Sequence, residues 1–369
     1  MEHHHKIIPE VDYLVKIAKA SYTGSQDLPD LSPGTMDEEK TANAILKLAE
    51  KNSVSYIVSQ GLVKHADKIG LSDTSKEKAG EVLQENKRLY ESTLAKVESV
   101  TKLFPEDRLP VLFIKSFRPF PYADGDVDVV AVDESQTANY RKILDENGFR
   151  YFWNLSNIRE PDKYFYSNGQ KPNVHLHKKI SWNGIAYLDS RQVWERRSVE
   201  KRDKLEFYVP SKEDEVLIMA AHLVFENKYI SLDDLLYLRH LASQPLQWEY
   251  VFSAARRYHW EKGLVFFLQS VLELGRIFSI DLANISTGMK NSSHKFHSST
   301  QFQLESTIIL PYFYEILKWL GIETSKFFAD ILKMRIGHFA RQIFTYYLVD
   351  IAWLYRRNRR LKRRITNRD

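Results

Sequence analysis

The chain has 369 residues, 43% of them hydrophobic and 27% charged, with a net charge of +5. This is globular composition, with length for two or three domains and apolar residues enough for a sizeable core. There is no Cys, which excludes disulfides, thiolate metal sites and a cysteine nucleophile.

Residues Met1–Glu10 lack the apolar run of a signal peptide, so a cytoplasmic address is expected. His3, His4 and His5 are given no role. Residues 11–20 and 38–66 read as helices, the second carrying Ala42, Ile45, Leu46 and Ala49 at helical spacing. Between them, Gly24–Gly34 is a Pro- and Gly-rich loop. A long helix is expected over Ser75–Phe104, stopped by Pro105.

Leu109–Ile114 then reads as a buried strand. A turn-rich loop through Pro119, Pro121 and Gly125 leads to a β-branched strand over Asp126–Val132. Thr137–Asn147 is an expected helix and Phe149–Trp153 an expected strand. Asn173–Ile180 alternates and can pair with Ile185–Leu188 through the Asn183-Gly184 turn. Asp189 suits the N-cap of the helix that contains Trp194. From Ser211 the pattern returns to helix, with acids in the first turn that complement the helix dipole. Helices continue to about Leu274. A polar loop at Ser286–Gln301 precedes further helices, including about 324–356. The reading is α+β: an N-terminal helical region (1–108), a small mixed-sheet core (109–210) and a C-terminal helical domain with a basic tail (211–369).

The chemistry concentrates in Phe113–Val130. A strand ends at Lys115-Ser116, a loop follows, and the next strand opens with Asp126 and Asp128. Residues two apart in a strand share a face. Two adjacent carboxylates repel unless a proton or a cation lies between them. Mg²⁺ is held typically by one or two carboxylates plus substrate phosphates. Against this, an Asp-x-Asp pair at a strand edge is often plain solvated surface. His177 shares a face with His175, which suggests either a transition-metal pair or a half-exposed strand with polar residues outward; the second reading is preferred. His222 among apolar helix residues reads as a satisfied interior histidine. Asp233 and Asp234, after Ser231, read as caps of the next helix. Arg118, Arg141 and Lys142 could reach phosphates, although Lys and Arg at a loop and a helix start are usually solvated.

The segment resembles the signature of DNA polymerase β-like nucleotidyltransferases. More closely, residues 40–275 are similar to a prokaryotic family of uncharacterised nucleotidyltransferases. The similarity runs through Leu109–Lys115, Pro121–Asp128, Val174-His175-Leu176-His177, Glu213–His222 and Asp234-Leu235-Leu236-Tyr237-Leu238. It implies transfer of a nucleoside monophosphate from an NTP to a hydroxyl of an unknown acceptor. Asp126 and Asp128 would hold Mg²⁺, or Mn²⁺ in its place, and Lys115, Ser116 and Arg118 would bind the nucleotide. The superfamily's third carboxylate falls on His175, which would act as base or altered ligand, or mark a degenerate nucleotide-binding site. The similarity also implies that the helices after Ser211 line the cleft opposite the acidic strand.

The tail Arg356–Asp369 carries +7 and leaves the rest of the chain near −2. Three readings stay open for it: a solvated end, a nucleic-acid contact through Arg356–Arg368, or attachment to anionic lipid. Phe339–Tyr355 is too short and too charged to span a bilayer.

Overall fold

The computed structural model describes residues 9–291, except 25–27, 32–37, 123–124, 154–156, 158–159, 183–184 and 228–229. The helices expected at 324–356 and the basic tail lie outside the described residues, as does the Asn183-Gly184 turn.

The chain opens with helices α1 (Pro9–Thr23), α2 (Glu38–Lys51), α3 (Ser55–Lys64), α4 (Ala66–Ile69) and α5 (Asp73–Leu103). Strands β1 (Val111–Ile114) and β2 (Asp126–Ala131), helix α6 (Thr137–Glu146), and strands β3 (Arg150–Tyr151), β4 (Lys163–Ser167) and β5 (Asn173–His177) follow. The short strands β6 (Ser181–Trp182) and β7 (Ile185–Ala186), helix α7 (Ser190–Glu195) and the hairpin β8 (Ser198–Arg202) with β9 (Leu205–Val209) complete the middle region. Helices α8 (Lys212–Ala221), α9 (Leu232–Ala242), α10 (Trp248–Arg257), α11 (Glu261–Ile277) and α12 (Ala283–Gly288) follow among the described residues. A π-helical turn, His222–Asn227, continues α8.

The α+β expectation holds, with helices at both ends of a mixed five-stranded sheet of order β1-β2-β5-β4-β3. β2 and β5 run parallel; the other neighbours are antiparallel. Alternation of side chains gives the sheet two distinct faces. Val127, Val129, Val174, Leu176 and Tyr166 point to one side, where Val97, Val100, Tyr140 and Leu144 of α5 and α6 cover them. Asp126, Asp128, His175, His177 and Lys163 alternate to the other side. There Leu112, Ile114 and Val130 join a larger core built from both the N-terminal helices and α8–α11. The helices before β1 and helices α8–α11 therefore share one core.

Four differences from the sequence reading bear on the site. The expected 38–66 helix is broken at Asn52–Val54, where Ser53 has φ 55°. At the break the buried Asn52 turns its Oδ1 and carbonyl to α9, where they accept the Leu232 and Asp233 amides at 3.3 Å each. Strand β4 and the β8–β9 hairpin were not expected at all. The strand at Phe149–Trp153 shortens to two residues. The caps hold as read: Asp189 accepts from the Arg191 and Gln192 amides, Ser211 from that of Asp214, and Ser231 with Asp234 forms a capping box.

Candidate functional site

Asp126 and Asp128 sit side by side on β2, on the sheet face turned toward α8 and α9. Their parallel partner β5 sets Asp126 opposite Asn173 and Asp128 opposite His175. The histidine ring therefore lies between the carboxylates: Nε2 is 3.2 Å from Asp126 Oδ1, and Nδ1 is 3.6 Å from Asp128 Oδ1. Phe165 of β4 packs edge-on against that ring, 4.7 Å between centroids. Asn173 Nδ2 donates to the same Asp126 oxygen at 3.3 Å.

Asp128 is the hub. His177 Nε2 lies 2.5 Å from its Oδ1. Lys163 Nζ lies 3.6 Å from that oxygen, and Lys115 Nζ lies 3.8 Å from Oδ2. Burial by itself would raise the Asp128 carboxyl, but the two lysines and both histidines hold it well below the usual carboxylate range. Burial also opposes the charged form of Asp126, and the His175 bond and charge outweigh it, so that carboxyl too is lowered. The two histidines diverge. Burial works against the charged form of both, yet His175 has two carboxylates and its pKa is raised. His177 has one and faces two lysines, so burial prevails and its pKa falls to about 4. An ionised carboxylate can only accept, so a neutral His177 donates its Nε2 proton to Asp128. The expected half-exposed role for His177 is thereby corrected: it is buried beneath the acidic pair. Its side chain turns inward because β5 is covered on both faces.

Asp126, Asp128, His175, Lys115 and Lys163 form one wall of a cavity of about 280 Å³. The opposite wall is helical: Glu215 of α8, His222 and Glu226 of the π turn, and Asp233, Asp234 and Tyr237 of α9. His222 is a satisfied histidine, as read, with Nδ1 2.5 Å from Glu226 Oε2 and Nε2 2.9 Å from Asn227 Nδ2. Glu226 keeps its charge against burial through His222 and Lys115, whereas burial raises Glu160, with which it shares Lys163. Burial also lifts Glu215 to about 7.

The nucleotide-binding candidates separate. Lys115 lines the cavity and holds a left-handed backbone, φ 60°, a conformation that costs a side-chain-bearing residue about 1–3 kcal/mol. Ser116 is buried, donating to Ile114 O at 3.0 Å and accepting from the Asp128 amide at 3.1 Å. It ties β1 to β2 and is not part of the cavity lining. Arg118 reaches the cavity, but its guanidinium is committed to Asp233 at 3.2 Å and Asp234 at 3.6 Å. It also lies between the Tyr122 and Tyr237 rings, 4.8 and 4.6 Å from their centroids. Arg141 is on the far face of the sheet, between Tyr151 and Tyr164. Lys142 pairs with Glu146 on the surface of α6.

Sequence reasoning missed Lys163, Glu215 and Glu226. Lys163 lay in a strand that no alternation announced. Glu215 was one acid among three at a helix start, all of them buried, and nothing local distinguishes the one that lines the cavity. Among the described residues no three carboxylate or imidazole groups converge into a metal site of their own.

A profile of an uncharacterised nucleotidyltransferase family matches residues 38–274. The chain belongs to this family. No curated protein and no solved structure gives a match. The matched region begins with α2 and runs through most of α11, so it takes in both walls of the cavity. Membership in a nucleotidyltransferase family implies an NTP as substrate. Among the described residues no helix is long and apolar enough to cross a membrane.

Proposed function

We propose that this nucleotidyltransferase transfers a nucleoside monophosphate from an NTP to the hydroxyl of an acceptor at the Asp126–Asp128 edge. The observation that carries the reading is the placement of two carboxylates on one strand face, at the wall of a cavity that also presents Lys115 and Lys163. The acceptor oxygen bonds to the α-phosphorus, the bond from that phosphorus to the β-phosphate bridge breaks, and pyrophosphate leaves. The proton of the hydroxyl passes to the Asp126–His175 pair. Lys115 and Lys163 offset phosphate charge inside a poorly solvated cavity, where fixed charges act more strongly than in water.

The two carboxylates suit Mg²⁺ or Mn²⁺. The Asp126 side chain is 33% exposed, and Asp128 Oδ2 faces the Lys115 amine at 3.8 Å. Both can reach an ion whose remaining ligands are phosphate oxygens. When bound, the ion would neutralise charge on the triphosphate and the departing pyrophosphate.

Calorimetry with an NTP and Mg²⁺, alongside a pyrophosphate-release assay, tests the proposal. Asp126→Ala and Asp128→Ala are expected to abolish metal-dependent binding and release; unchanged binding in both variants would move the site elsewhere. A second reading, nucleotide binding without turnover, is favoured by one observation: the position of the third catalytic carboxylate holds His175. It predicts tight binding with no pyrophosphate.

A further inference from the structure

We infer that this site takes a single divalent ion, carried in with the nucleotide, and that His175 stands where a second ion would otherwise sit. The inference rests on the nucleotidyltransferase reading and specifies its metal chemistry. Two-ion sites place their ions about 3.5–4 Å apart, on carboxylates that bridge them. Here the space between Asp126 and Asp128 is filled by an imidazole ring. Its two nitrogens face one carboxylate each, at 3.2 and 3.6 Å. The ring has little freedom to withdraw, because Phe165 packs edge-on against it and its side chain is 9% exposed.

Charge leads to the same conclusion. Lys115 and Lys163 lie 3.8 and 3.6 Å from Asp128, and Lys163 also pairs with Glu160 at 3.0 Å. A bare divalent ion would have to displace these ammonium groups from Asp128 in a low-dielectric setting, at a cost. An ion bound to a triphosphate arrives with a net negative charge and does not meet that penalty. The more open of the two carboxylates is Asp126, whose side chain is 33% exposed against 10% for Asp128. Among the described residues no trio of ligating groups forms a metal site by itself, so an ion here would need phosphate oxygens among its ligands.

The test counts Mn²⁺ by electron paramagnetic resonance, with and without a non-hydrolysable NTP analogue. Wild type is expected to show no tight site for Mn²⁺ alone and one ion per chain with the analogue. His175→Asp is expected to bind Mn²⁺ without nucleotide at least about ten-fold more tightly than wild type, since it replaces the blocking ring with a third close negative charge. Circular dichroism checks that the variant is folded. His175→Asn, which removes the ring without adding charge, is expected to gain Mn²⁺ affinity as well, by less than His175→Asp; unchanged Mn²⁺ binding in the folded variant would overturn the blocking role. Two ions per bound analogue in wild type, or a tight nucleotide-free site in wild type that Asp126→Asn removes, would overturn the inference. The His175→Asn arm separates the two proposals, because a gain there does not come from an added carboxylate. A gained Mn²⁺ site in a protein that binds no analogue refutes the nucleotide reading and upholds the blocking role of His175. No gain in the folded variant refutes the blocking role, whatever the nucleotide does.

Discussion

Replacing Arg118 with Ala leaves two carboxylates buried without their cation. Arg118 is 8% exposed, and Asp233 and Asp234 are 2% and 7% exposed. Water cannot readily take over the lost contacts at 3.2 and 3.6 Å. Removing one partner of a buried ion pair costs about 3–5 kcal/mol. Losing the stacking between Tyr122 and Tyr237 adds about 0.5–2 kcal/mol per ring. The expected destabilisation at neutral pH is therefore roughly 4 kcal/mol or more, read as a shift in urea midpoint at constant slope. Arg118→Lys should recover little of it, because a point ammonium cannot serve two carboxylates and two ring faces at once.

The pH dependence distinguishes this cause from a mere cavity. Burial and the neighbouring Asp234 already raise the Asp233 carboxyl, with Arg118 opposing them. Without Arg118 it rises further. A carboxyl raised in the folded state binds its proton more tightly there than in the unfolded chain. Its contribution to stability therefore falls as pH rises from the ordinary carboxylate value, about 3.9, through the folded value. The deficit of Arg118→Ala should shrink markedly at pH 5 relative to pH 8. A loss below about 1 kcal/mol, or a deficit equal at both pH values, would refute the account of a buried, charge-balanced clamp.

Glu215→Gln gives a second pH test. A carboxyl raised to about 7 carries a cost of roughly 3 kcal/mol once ionised, so the variant should gain on wild type between pH 5 and pH 8; chemical denaturation at both values decides it. Ser116→Ala removes the link between Ile114 and the buried Asp128 amide, and should cost about 1–3 kcal/mol, with weaker metal-dependent nucleotide binding in calorimetry because Asp128 loses its backbone anchor. Gly61→Ala would place a Cβ against Ser21 Oγ and 2.8 Å from Ile17 Cγ2 where α3 crosses α1; a loss of about 1–3 kcal/mol in thermal unfolding is expected, with the nucleotide site intact in whatever fraction stays folded.

The acidic pair, the strand–loop–strand around it and the helix caps were legible in the chain, because each is a local matter. Side-chain alternation puts Asp126 and Asp128 on one face whatever surrounds them. A serine or aspartate before an apolar helical run satisfies the first-turn amides wherever the helix later packs. What that face looks at is not local. The parallel pairing of β2 with β5 put His175 between the two carboxylates and His177 beneath them. It took β4 beside β5 to bring in Lys163, and α9 against the β1–β2 loop to turn Arg118 from a candidate phosphate ligand into a clamp. Charges on separate elements shift one another's protonation only when packing removes the water between them. The sequence by itself thus determined which residues could carry the chemistry; the tertiary structure decided which of them share a cavity, and in what state of charge.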